Sequence, residues 1–110
     1  MVFRTVFIGQ APDGDPKKHR ASIKTSKLEA IFIIVKLGDI EGALAIAKHL
    51  AEKEGIQSLQ LCPGWRHEDV ARFRQAVGEN VSIFVSRGDI PSSLMTAQVL
   101  SKEGWFPERT

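Results

Sequence analysis

Residues 28–39 read Leu28-Glu29-Ala30-Ile31-Phe32-Ile33-Ile34-Val35-Lys36-Leu37-Gly38-Asp39, and this stretch decides the fold. Leu28 to Val35 is nearly continuous apolar, and Ile31, Ile33, Ile34 and Val35 are β-branched. A short run of this kind fits a strand covered on both faces, as strands of parallel sheets are. Gly38 and Asp39 end it, and Asp39 is placed to cap a helix. Ile40, Ala43, Leu44, Ala47, Leu50 and Ala51 then recur along one helical face, and Gly55 stands where such a helix stops. One strand passing directly into one amphipathic helix is the unit from which an α/β sheet is built.

The same unit recurs on either side. Upstream, Val2 to Ile8 is β-branched and aromatic and stops at Gly9, so a strand is expected there. Gly9 to Asp15 is rich in turn formers. Asp15-Pro16 then offers a cap followed by proline at a first helical position, and predicts a short polar helix to about Ile23. Downstream, Leu59 to Cys62 reads as a strand broken by Pro63-Gly64. Val70, Phe73 and Val77 mark a second amphipathic helix ending at Gly78. Val81 to Val85 is the next strand, and a last helix is expected from Ser92 or Ser93 to just before Gly104. The expectation is an α/β fold of four strand–helix units with a mainly parallel sheet and right-handed crossovers. A flavodoxin-like open sheet is the first form of it, and a half-barrel of four β/α units closed by a partner is the alternative. No linker divides the chain, so residues 1–110 are expected to form a single domain.

Composition narrows the classes of function. A chain of 110 residues buries only about two thirds of its unfolded surface, so association into a homo-oligomer is expected to help it. Its 43% hydrophobic and 25% charged residues are ordinary for a globular protein. A net charge of +2 is too small to argue for nucleic acid or an anionic membrane. Lys17, Lys18, His19, Arg20, Lys24 and Lys27 do form a basic run, but no aromatic is interleaved for base stacking. The single cysteine, Cys62, excludes an internal disulfide and a cysteine metal cage. The three histidines have no paired spacing, and no Walker loop or Gly-x-Gly-x-x-Gly occurs, so neither metal nor cofactor is expected. The longest apolar run is far too short to span a bilayer, and no signal peptide is legible, so a cytoplasmic protein is expected.

In open α/β sheets and barrels, ligands bind beyond the carboxyl ends of the strands. The loops expected there carry Gln10, Asp13 and Asp15; Lys36 and Asp39; Cys62, Gly64, Trp65, Arg66, His67 and Glu68; and Arg87 and Asp89. The third group is the densest and opens a helix, whose free N–H groups favour an anion. Gly64 would admit a ligand close to the backbone, Trp65 would give an apolar wall, and Arg66 or Arg87 would pair with phosphate or carboxylate. The plain alternative is that Glu68 and Asp69 only favour the first turn of the helix. Cys62 and His67 also suggest a thiol activated by an imidazole, although a lone cysteine at a strand end is more often a small buried hydrophobe. His19 is a candidate general base, and an exposed histidine is its plain reading.

Three separated motifs carry a resemblance: Asp15-Pro16-Lys17-Lys18-His19-Arg20, Leu61-Cys62-Pro63-Gly64, and His67-Glu68-Asp69-Val70-Ala71-Arg72 with Ala76-Val77-Gly78. Together they resemble a family of small bacterial and archaeal α/β proteins of unknown function, over roughly residues 3 to 87. The resemblance implies the architecture and no chemistry. It marks His19, Arg20, Cys62, Gly64, His67 and Glu68 as motif positions. This chain has Pro63-Gly64-Trp65 where the family has a Gly-Gly-Phe turn, and the match lapses after Asp89. Three functions remain open: a binding module for a small anionic metabolite, with Gln10, Arg20, Gly64, Trp65, Arg66, Glu68 and Arg87 as contacts; a small enzyme using Cys62, His67 or His19; and an oligomeric subunit docking through Trp105 and Phe106.

Overall fold

The computed structural model describes residues 1–106. Five strands form one sheet: β1 (Phe3–Ala11), β2 (Arg20–Lys24), β3 (Leu28–Lys36), β4 (Ser58–Leu61) and β5 (Ser82–Val85). Three helices, α1 (Ile40–Lys53), α2 (His67–Val77) and α3 (Ile90–Lys102), follow β3, β4 and β5. The sheet order is β2-β3-β1-β4-β5, parallel throughout except for β2, which runs antiparallel to β3. The α/β class and mainly parallel sheet hold, with five strands instead of four.

The extra strand replaces the helix expected over Pro16 to Ile23. Asp15 does cap a turn: its carboxylate accepts from Lys17 N at 3.0 Å, and its carbonyl accepts from Lys18 N and His19 N. The turn ends there because Arg20-Ala21-Ser22-Ile23-Lys24 alternates with period two and pairs with Ile33 to Glu29. Ladder bonds along an apolar strand outweigh the weak propensity of an isolated polar turn. All five β2 residues are exposed, and Arg20 and Lys24 put charge on the sheet edge, which discourages further pairing.

The core lies on one face of this sheet. Val6 and Ile8, Ile31, Ile33 and Val35, and Leu59 and Leu61 point to it from three neighbouring strands, and all are buried. Ala43, Ala47 and Leu50 of α1 and Phe73 of α2 meet them there. Each fully buried Leu or Ile contributes about 1.5–3 kcal/mol relative to exposure. The small alanines let α1 lie close to the sheet. Asp39 caps α1, accepting from Gly42 N at 2.9 Å. Gly55 at φ 65° and Gly78 at φ 82° turn the chain out of α1 and α2 through the left-handed region.

α1 and α2 pack side by side and cover the same face. The connection from β1 to β3 holds a turn and β2 where a helix was expected, so that crossover supplies no cover for the other face. The apolar run of β3 predicts cover on both sides, yet Phe32 on its second side is 44% exposed.

Glu29 ties three strands at their far ends, bonding Lys24 Nζ on β2 and Arg4 Nε on β1 at 3.1 Å each. Lys24 first, and then Arg4, hold the Glu29 carboxyl below its ordinary range against a smaller opposing effect of desolvation. A carboxyl lowered in the folded state adds stability above its unfolded pKa and loses it as pH falls through the folded value. Stability is therefore expected to fall with acidification below about pH 4.5. Urea midpoints measured across that range should fall less steeply for Glu29→Gln than for the wild type.

Candidate functional site

The chain leaves β1 toward β3 on one side, and after α1 returns on the other side as β4. The loops after β1 and β4 therefore diverge from neighbouring strand ends and leave a crevice between them. Gln10 closes the end of β1 and spans this gap. Its Oε1 accepts from Gly38 N at 2.9 Å, and its Nε2 lies 3.9 Å from Cys62 Sγ. One side chain thus touches the loops after β3 and β4. Gly64 leaves room for it: a Cβ there would stand 2.9 Å from Gln10 Nε2 and would push the amide aside.

A cavity of about 470 Å³ opens over these groups. Gln10, Leu37, Cys62, Pro63 and Gly64 form its floor, and Ser92, Ser93, Thr96, Ala97 and Leu100 of α3 form its roof. Trp105 and Phe106 close one end. The lining holds no charged side chain, and its polar groups are the Gln10 amide, the Cys62 thiol and the hydroxyls of α3. Asp89 caps α3, accepting from Ser92 N at 2.8 Å, and that bond with the Ser92 hydroxyl lowers its carboxyl pKa.

A second hollow, of about 460 Å³, lies across Pro63 and Gly64. It is lined by Arg66, His67, Glu68 and Arg87 together with Pro63, Gly64 and Trp65. Arg87 Nη1 donates to Pro63 O at 2.9 Å, which fixes the guanidinium against the shared corner. Arg66 precedes α2, and Asp69 Oδ2 accepts from both its backbone N and its Nε. Asp69 first, and then Glu68, hold the Arg66 proton more firmly than usual. Arg66 is thereby engaged with two acids, while His67 stands exposed at the first position of α2.

The remaining candidates have other roles. Trp65 is 1% exposed; its Nε1 donates to Ile8 O at 3.1 Å, and its ring meets Phe73 edge-on at 5.2 Å. Its indole is part of the core beneath the rim. His19 lines neither hollow; its Nδ1 accepts from Asp15 N at 2.9 Å and closes the turn before β2. Arg20 pairs with Glu54 at the far end of α1, 3.4 Å away. Cys62 belongs to the first hollow and His67 to the second. Sequence reasoning had no place for the α3 lining. The available signal was Asp89-Ile90-Pro91, a cap with an early proline, leading into a run from Ile90 to Ser101 without a charge.

No helix among the described residues is long and apolar enough to cross a membrane, and no group of three or more His, Cys, Asp or Glu there could hold a metal. One family model, described as a family of unknown function (DUF6506), matches residues 3–101. The match therefore extends through β5 and nearly all of α3, past the point where the motif resemblance lapses. No curated protein and no solved structure matches.

Proposed function

The chain belongs to this family of unknown function, so its role must come from the site, and we propose that it is a small-molecule binding module for a ligand with an apolar body and an anionic head. The body occupies the uncharged cavity between the rim and α3. The head turns across Pro63-Gly64 toward Arg87 and His67. The observation that carries this reading is the common corner: the two hollows share Pro63 and Gly64, one lined without charge and the other by Arg66, His67, Glu68 and Arg87, of which Arg66 is paired with acids and Arg87, among the described residues, is not. Topology supports it. The parallel strands run β3-β1-β4-β5, and the cavity lies beside β1, where the chain reverses direction across the sheet and open α/β sheets bind ligands. The acid–base alternative has less support, because His19 lines neither hollow and Cys62 and His67 line different ones.

The test is a thermal-shift and calorimetry panel of alkyl and aryl carboxylates and phosphates. A ligand at a hundred times its Kd is expected to stabilise the fold by about 2.7 kcal/mol. Arg87→Ala should weaken anionic members by roughly tenfold or more while leaving neutral analogues unchanged. Ala97→Trp should fill the cavity and abolish both. A panel in which no member stabilises the wild type, or in which Ala97→Trp binds normally, overturns the proposal.

A further inference from the structure

We propose that the helix-free face of the sheet is an interface for the same face of a second copy of this chain. The strands distribute their charges unevenly between their two faces. Arg4, Arg20, Lys24 and Glu29 alternate onto the helix-bearing side or its margins. The opposite side presents Phe3, Phe7, Ile23, Phe32, Ile34 and Phe84 beside the uncharged Thr5, Ser58, Gln60 and Ser82, and its one charged strand residue is Lys36, at the carboxyl end of β3. A sheet that faces water shows the reverse arrangement, with polar side chains outward. Phe3, Ile23, Phe32 and Phe84 are 47%, 61%, 44% and 57% exposed, and Phe7 and Phe32 already pack on each other at 6.2 Å.

Three properties of this face fit a second copy. It carries almost no charge, so the same surface turned over by a two-fold axis meets it without an unpaired ion. Its size is adequate: the five strands hold 31 residues. At about 3.3 Å by 4.8 Å each, these make roughly 500 Å² of plane before side-chain relief is counted. A biological interface needs about 1,000 Å² in total, or about 500 Å² per partner, so a contact across the whole sheet reaches that threshold. β3 itself has the composition of a strand buried on both faces, and α1 and α2 cover only one. Face-to-face packing at about 10 Å would give β3 its second cover. The inference does not depend on the pocket, which lies at the strand ends.

Sedimentation equilibrium of the full chain tests it. The expected mass is twice the 12.2 kDa of one chain. Phe32→Glu should raise the dimer Kd by about a hundredfold or more and keep the far-UV spectrum, since the side chain is exposed in the single chain. Phe84→Lys, on the other flank of the face, should do the same and decides the matter if Phe32→Glu fails to fold. Leu94→Glu, on the outer surface of α3, should leave the dimer intact. A wild type that sediments as one chain throughout, or a dimer that survives both charged substitutions, overturns the proposal. So does a dimer broken only by Leu94→Glu.

Discussion

Trp65→Ala is expected to lower the unfolding free energy by about 3–5 kcal/mol, a large share of the roughly 5–15 kcal/mol typical of a domain. The indole is fully enclosed and joins three parts of the fold. Its ring packs on Phe73 of α2, its N–H reaches the carbonyl of Ile8 in the central strand, and its backbone N donates to Cys62 O. Truncation leaves a cavity under the rim and removes an edge-on aromatic pair. Trp65→Phe separates the two contributions. It keeps a ring against Phe73 and loses the indole N–H, while Ile8 O still accepts from Cys62 N. A cost of about 1–2 kcal/mol is expected for it. Urea denaturation of both variants at constant m-value is the measurement. A Trp65→Ala cost below 1 kcal/mol would show that the indole is not held in the core.

Gly14→Ala is expected to be the most damaging change to a loop, at about 3 kcal/mol. A Cβ on Gly14 would stand 2.2 Å from the Val35 carbonyl oxygen and 2.5 Å from its carbon, both backbone atoms of a buried strand. No rotamer change relieves such a contact, so the loop must lift from the end of β3. Ala11 O, which accepts from Gly14 N and Leu37 N, would move with it, and the cavity floor at Gln10 and Leu37 would open. Gly38→Ala is the comparison. That position has φ 85° but open space around it, so only the left-handed penalty of about 1–2 kcal/mol applies. Equal losses for the two variants would refute the steric account.

The elements legible in the sequence are those with a strong period. α1 and α2 carry apolar residues three and four apart, and the runs of β1, β3 and β4 are bounded by Gly, Asp or Pro. β2 was missed because Asp15-Pro16 is a true capping signal, and it does make one turn. What ends that turn is pairing with β3, a tertiary effect that no local window contains. The alternation of Ala21 and Ile23 against Arg20, Ser22 and Lys24 was its only trace. The rim was legible as a place, since Gln10, Cys62 and Gly64 meet there and Arg87 reaches Pro63. Individual roles were less so. An aromatic after Pro-Gly reads equally well as a ligand wall or a core anchor, and Trp65 is buried in the core. His19 reads as a candidate base, and its ring closes a turn. These choices depend on which way a side chain points at a strand end, and alternation no longer fixes that once the ladder stops.

The central position of β1 also governs the order in which the sheet can assemble. β2 and β3 are joined by a three-residue turn over residues 25–27 and can pair within microseconds of meeting. β1 gains its second neighbour only through β4, and the Arg4–Gln57 bond at that seam joins residues 53 positions apart. The loop entropy for that closure must be met before Val6 and Ile8 are enclosed. A ribosome has to release the chain past Leu61 before the middle strand can be satisfied on both edges. The nascent chain up to that point carries an apolar strand with one open side, which docking of β4 and Trp65 onto β1 closes.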